Sequence, residues 1–110
     1  RRGKGFDWVI IKLANIGIVD NIVIQTHHFK GNYPATFSLQ GSFVSKNSDV
    51  KKLINNSAKW KKLISNTKLK PDDNLKISEL NLNSEKINYV KLNIFPDGGI
   101  SRLRIFGKIT

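Results

Sequence analysis

Ile87-Asn88-Tyr89-Val90-Lys91-Leu92-Asn93-Ile94-Phe95, then Pro96-Asp97-Gly98-Gly99, then Ile100-Ser101-Arg102-Leu103-Arg104-Ile105-Phe106-Gly107 is the stretch that decides the fold. Ile87, Tyr89, Lys91, Asn93 and Phe95 alternate with Asn88, Val90, Leu92 and Ile94, the period-two pattern of a strand. Pro96 presets φ at about −65°, and the two glycines after Asp97 tolerate the positive φ of a close reversal. A second alternating run follows, so the stretch predicts two strands joined as a hairpin. Arg102 and Arg104 are two apart, which puts both guanidinium groups on one face of a regular strand. That pair is either a seat for a small carboxylate or an ordinary solvated strand face.

Working outward, the same signal recurs. Asp7 to Leu13 is a short apolar run rich in β-branched residues, and Asn15-Ile16-Gly17 reads as a turn. Ile18 to Thr26 and Thr36 to Ser45 alternate as second and third strands. Asp49 to Asn55 carries Val50, Leu53 and Ile54 at helical spacing, with Ser48 as the expected N-cap. Ala58 to Ile64 is ambiguous and is read as a strand burying Trp60. Pro71-Asp72-Asp73-Asn74 is a turn, and Leu75 to Leu80 a short strand. Short strands, regular turns and little helix predict an all-β protein, an antiparallel β-sandwich or jelly roll.

The chain of 110 residues fits one domain, residues 1–110. The absence of cysteine excludes disulfides, thiolate metal sites and cysteine nucleophiles, and agrees with a reducing, cytoplasmic setting. No apolar run is long enough for a membrane helix, so no membrane partner is expected. There is no methionine, not even at position 1, so the chain is expected to begin inside a longer gene product. The net charge of +11 invites a nucleic-acid reading, but 15 of the 19 cationic residues are lysines. Lysine, asparagine and isoleucine are together abundant, as A/T-rich codons would produce. The aromatics form no stacking platform, and no nucleic-acid partner is expected.

Reactive side chains gather between Thr26 and Pro34. His27 and His28 are adjacent, face opposite ways on extended backbone and cannot share one metal ion, so no metal and no cofactor are expected. One imidazole suits a general base or a substrate donor. Lys30 and Asn32 offer a positive charge and an amide, or belong to a simple turn. Asp7 and Asp97 are turn or cap residues or acid–base groups. Gly3-Lys4-Gly5 lacks the strand and helix of a phosphate loop.

Three motifs act together. Arg1-Arg2 followed by Gly5-Phe6-Asp7-Trp8 and Ile11-Lys12-Leu13 resembles the opening of an allantoicase repeat. Thr26-His27-His28-Phe29-Lys30-Gly31-Asn32-Tyr33-Pro34 is similar to that family's Asp-Thr-x-His-Phe-Lys-Gly-Asn-x-Pro signature. Asn93 to Arg104 is similar to its closing motif. The resemblance implies a galactose-binding-like jelly roll and hydrolysis of allantoate to ureidoglycolate and urea in purine degradation. It implies two repeats per family chain, with these residues forming most of one that lacks its first strand. A second repeat or a homo-oligomer is the expected partner, besides the substrate. Gln25 stands where the family has Asp, and Phe6 where it has His. On the matched positions, chemical inference makes Arg102, Arg104 or Arg2 the carboxylate clamp and His28 the acid or base. Lys30 and Asn32 would hold a ureido oxygen, and Asp97 or Asp7 would orient donors. The competing reading is a non-catalytic jelly-roll module that binds a ligand or carbohydrate.

Overall fold

The computed structural model describes residues 7–26, 36–45, 49–78, 85–95 and 100–110. Its elements are β1 (Asp7–Gln25), β2 (Thr36–Ser42), α1 (Val50–Ser57), β3 (Lys61–Lys68), β4 (Asn74–Ile77), β5 (Ile87–Phe95) and β6 (Arg102–Ile109). All strand pairs are antiparallel, in the order β3-β2-β5-β1-β4 with β6 also on β1. The architecture is an antiparallel β-sandwich, as the alternation predicts.

β1 is the common spine. Its first part pairs with β5, from Asp7 opposite Ile94 to Lys12 opposite Tyr89. Its second part pairs with β6, from Gly17 opposite Ile109 to Gln25 opposite Arg102, while Ile22 to Gln25 also pair with β4. Asn15-Ile16-Gly17 is therefore no turn. It lies in a break of register between Lys12 and Gly17, where β1 passes from one layer to the other. Gly17 serves close approach here: a Cβ would lie 2.5 Å from the Lys108 carbonyl oxygen. Gly107 on the facing strand is equally confined, since its Cβ would overlap the Ile18 carbonyl.

The expected hairpin is corrected in the same way. β5 and β6 do not pair with each other; each pairs with a different part of β1. Their apolar sets face one core from opposite layers: Val90 and Leu92 are buried, and Leu103 and Ile105 pack against the same cluster. Val19, Ile22 and Ile24 of β1, Phe37 and Leu39 of β2, and Leu63 and Ile64 of β3 complete it. Burial of each such side chain contributes about 1.5–3 kcal/mol before the entropy of ordering.

The cap of α1 is Asp49 and not Ser48: the Asp49 carboxylate accepts from the Lys52 backbone N–H at 2.9 Å. Ala58 to Trp60 turn the chain after the helix, so the strand starts at Lys61, and Trp60 is buried as expected. The end of α1 lies over the outer face of β2 and β5. There the Gln40 amide donates to the carbonyls of Trp60 (2.9 Å) and Ala58 (3.3 Å). Asn93 donates to Gln40 Oε1 (3.0 Å) and Ser38 Oγ (3.3 Å). Lys91 Nζ donates to Ser57 Oγ at 3.0 Å and lies 4.9 Å from the Trp8 ring centre. Among the described residues, no fully buried side-chain nitrogen or oxygen lacks a hydrogen-bond partner.

Candidate active site

At one end of the sandwich, Asp7 lies opposite Ile94, and Thr36 lies opposite Phe95. Arg102 lies opposite Gln25 on the other layer. A cleft of about 390 Å³ opens between these strand ends. Its walls are apolar, with Val9, Ile11, Leu92, Ile94, Ile100 and Leu103, and Asp7 and Arg102 both line it. Asp7 and Arg102 thus both border one low-polarity cleft. Such a place can bind an anion and hold a proton donor or acceptor beside it.

Local sequence explains the placement. Leu103 and Ile105 turn toward the core, so Arg102 and Arg104 share the opposite, exposed face of β6, as their spacing predicts. Only Arg102 lines the cleft; Arg104 sits opposite Val23, farther along β6. Asp7 shares its strand face with Val9 and Ile11 and is half-buried at the beginning of β1.

The chain's exit from β1 is held firmly. Thr26 is buried; its hydroxyl donates to the Lys70 carbonyl at 2.6 Å and accepts from the Asp73 N–H at 3.0 Å. Its own N–H donates to the Asp73 carbonyl at 2.9 Å. Asp72 supplies the positive φ of 49° in that supporting turn. The approach to β6 is fixed too, because Ser101 donates its N–H (2.9 Å) and hydroxyl (3.1 Å) to the Gln25 carbonyl. Sequence reasoning overlooked Thr26 and Ser101 as anchors. The available signal was a threonine at a strand end, a residue type that satisfies backbone groups with its side chain.

Arg2, His28, Lys30, Asn32 and Asp97 lie outside the described residues, as does Phe6. The described residues next to their segments, namely Asp7, Thr26, Thr36, Phe95 and Ile100, are the ones that frame or adjoin the cleft end of the strands. Gln25 is half-buried in β1. Among the described residues, no three of His, Cys, Asp and Glu are grouped as a metal ion would require. None of the described helices is long and apolar enough to cross a membrane.

Comparison with known proteins places this geometry in context. The family model for the allantoicase repeat matches residues 1–110. The probable allantoicase of Pseudomonas fluorescens (strain SBW25) is 41% identical over 110 residues, which cover 100% of this chain and 33% of that protein. The probable allantoicase of Rhizobium meliloti (strain 1021) is 41% identical over 112 residues, covering 99% and 33%. The crystal structure of allantoicase from Saccharomyces cerevisiae superposes with a TM-score of 0.77 at 28% identity, over 98% of this chain and 29% of that one. The chain spans about a third of the length of the curated relatives it matches. The three motifs, the sandwich and the whole-length family match agree: this chain belongs to the allantoicase family.

Proposed function

We propose that the chain acts as one repeat of an allantoicase, hydrolysing allantoate to ureidoglycolate and urea. The observation that carries this reading is that Asp7 and Arg102 line the same apolar cleft. Allantoate bears a carboxylate on a carbon that carries two ureido groups. In the reaction the bond from that carbon to one ureido nitrogen breaks. Water supplies hydroxide to the carbon and a proton to the departing nitrogen, so urea leaves and ureidoglycolate remains.

In this reading Arg102 is the clamp for the carboxylate, favoured over Arg104 because it alone lines the cleft. Arg2 is a second cation for the same anion. His28 protonates the leaving nitrogen or activates water, and Lys30 and Asn32 hold a ureido oxygen. Asp97 and Asp7 orient the donors. The domain, residues 1–110, is one repeat that lacks its first strand. In support, no strand pairing among the described residues occupies the edge of Trp8 to Leu13 that faces away from β5. A second repeat or second copy as partner and a cytoplasmic setting belong to the same proposal.

The test is urea release from allantoate by the purified chain. Arg102→Ala is expected to lower kcat/KM by at least about tenfold, largely through KM, and Arg104→Ala by less than about twofold. Equal losses for the two would remove the assigned clamp. Unchanged turnover in His28→Ala would remove the role given to that imidazole. The second reading, a binding module, is favoured by Gln25, whose amide stands opposite Arg102 where the family has a carboxylate. Saturable allantoate binding without urea release would select it.

A further inference from the structure

A cleft of about 550 Å³ lies at the other end of β2 and β5 from the Asp7 cleft. The end of β2, the turn into β3 and the approach to β5 form its mouth, with Gly41 opposite both Lys61 and Val90. β2 runs from one end to the other, which separates the two clefts by about 20 Å. Neither Asp7 nor Arg102, the described residues of the proposed hydrolytic site, lines it.

Its lining combines aromatic surface with positive charge. Phe43 and Trp60 supply the rings, and Lys59, Lys61 and Lys86 the cations. Glu85 is the one carboxylate among the described lining residues, and it pairs with Lys61 at 3.4 Å. Lys86 Nζ lies 4.9 Å from the centre of the Phe43 ring, and that ring is itself exposed at 39%. The Phe43 ring thus offers apolar surface beside an ammonium group at the cleft mouth.

The wall is built rather than incidental. Trp60 is 9% exposed and packs at 6.1 Å, tilted, against Tyr89. Its carbonyl accepts from the Gln40 amide at 2.9 Å, and its N–H donates to the Ser57 carbonyl at 3.2 Å. Lys59 is held by its N–H on the Asn56 carbonyl at 3.0 Å. The turn that carries one ring and one cation is thereby fixed before any ligand arrives, which lowers the ordering cost of binding.

We infer that this cleft binds a small phosphate monoester carried on a planar ring, of the nucleoside monophosphate or aryl phosphate class. The volume lies within the ~300–1,000 Å³ usual for small-molecule sites. The exposed Phe43 ring takes the planar body against the fixed edge of Trp60, and Lys59 and Lys86 take the phosphate. Lysine suits that group as a point charge, with no arginine fork needed. The inference is independent of the hydrolytic reading.

The experiment follows Trp60 fluorescence and binding heat in the 110-residue chain carrying Trp8→Phe, with adenosine 5′-monophosphate, phenyl phosphate, adenosine and inorganic phosphate as probes. Adenosine 5′-monophosphate is expected to bind at least about tenfold more tightly than adenosine or inorganic phosphate. Affinity falls with added salt, and falls again by about tenfold in Lys59→Glu/Lys86→Glu and in Phe43→Ala. These residues are exposed, so the fold tolerates the changes, and circular dichroism checks it. Three results each overturn the inference: no saturable binding of either monoester, adenosine binding as well as its monophosphate, or affinity unmoved by the double lysine variant.

Discussion

On the inner face of β5, Val90 and Leu92 are 0% and 7% exposed; on its outer face, Lys91 and Asn93 are 6% and 5% exposed. Both faces are closed to water to the same degree, by opposite means. The inner face is closed by Phe37, Leu39, Ile22 and their neighbours, which need no particular orientation to exclude water. The outer face is closed by groups that must each find a partner: Asn93 on Gln40 and Ser38, Gln40 on the turn after α1, Lys91 on Ser57. The inner face contributes most of the stability. The outer face adds little net energy but fixes where α1 and the Trp60 turn sit, because an unmade hydrogen bond there is costly. That turn forms one wall of the lysine-lined cleft.

The sharpest way to break the comparison is Phe37→Ala. Phe37 is fully buried, and removing its ring is expected to cost about 3–5 kcal/mol. Urea denaturation checks this as a lower midpoint at an unchanged slope. A loss under about 1 kcal/mol would mean that the inner face does not carry the fold.

Next is Asn93→Ala. It strips Gln40 Oε1 of its donor and leaves Ser38 Oγ short of one, at a cost of about 1–3 kcal/mol. A cycle with Gln40→Ala should return a coupling of about 0.5–3 kcal/mol, since the two amides touch. Additive losses would show that the outer face is no network.

The contrast also explains what was legible in the sequence. The alternation of Ile87 to Phe95 gives a strand with those bounds, because period two survives whatever covers each face. It does not reveal that Lys91 and Asn93 are buried, since hydropathy equates polar with exposed and the covering helix comes from distant sequence. The hairpin reading failed for a related reason: Pro96 to Gly99 carries turn chemistry, but local chemistry does not say whether the two strands rejoin in one sheet or face each other across a core. Gly17 misled because a glycine required by the Lys108 carbonyl looks, in sequence, like one required by a reversal. Of the site, the common face of Arg102 and Arg104 was readable from spacing. That Arg102 and not Arg104 lines a cleft with Asp7 needed the crossing of β1 between layers.

The smallest expected effect separates the two faces most cleanly. Lys91 sits on the polar face with a hydroxyl and an indole ring as its partners among the described residues, and burial lowers its pKa from 10.5. Lys91→Met keeps the length of the side chain, removes the desolvated charge and gives up its cation–π contact, so at about pH 7 stability should change by no more than about 1 kcal/mol. The sign with pH is fixed by the direction of the shift. Between its folded pKa and 10.5 the unfolded chain holds more protons on this lysine than the folded one, so the wild type gains stability as pH rises through that window. The variant lacks that gain. Parallel urea titrations from about pH 7 upward should show the wild type improving relative to Lys91→Met, with the difference levelling off above 10.5. A difference that stays constant with pH would mean that Lys91 keeps an ordinary, solvated amine, and that the outer face is wet where the inner face is dry.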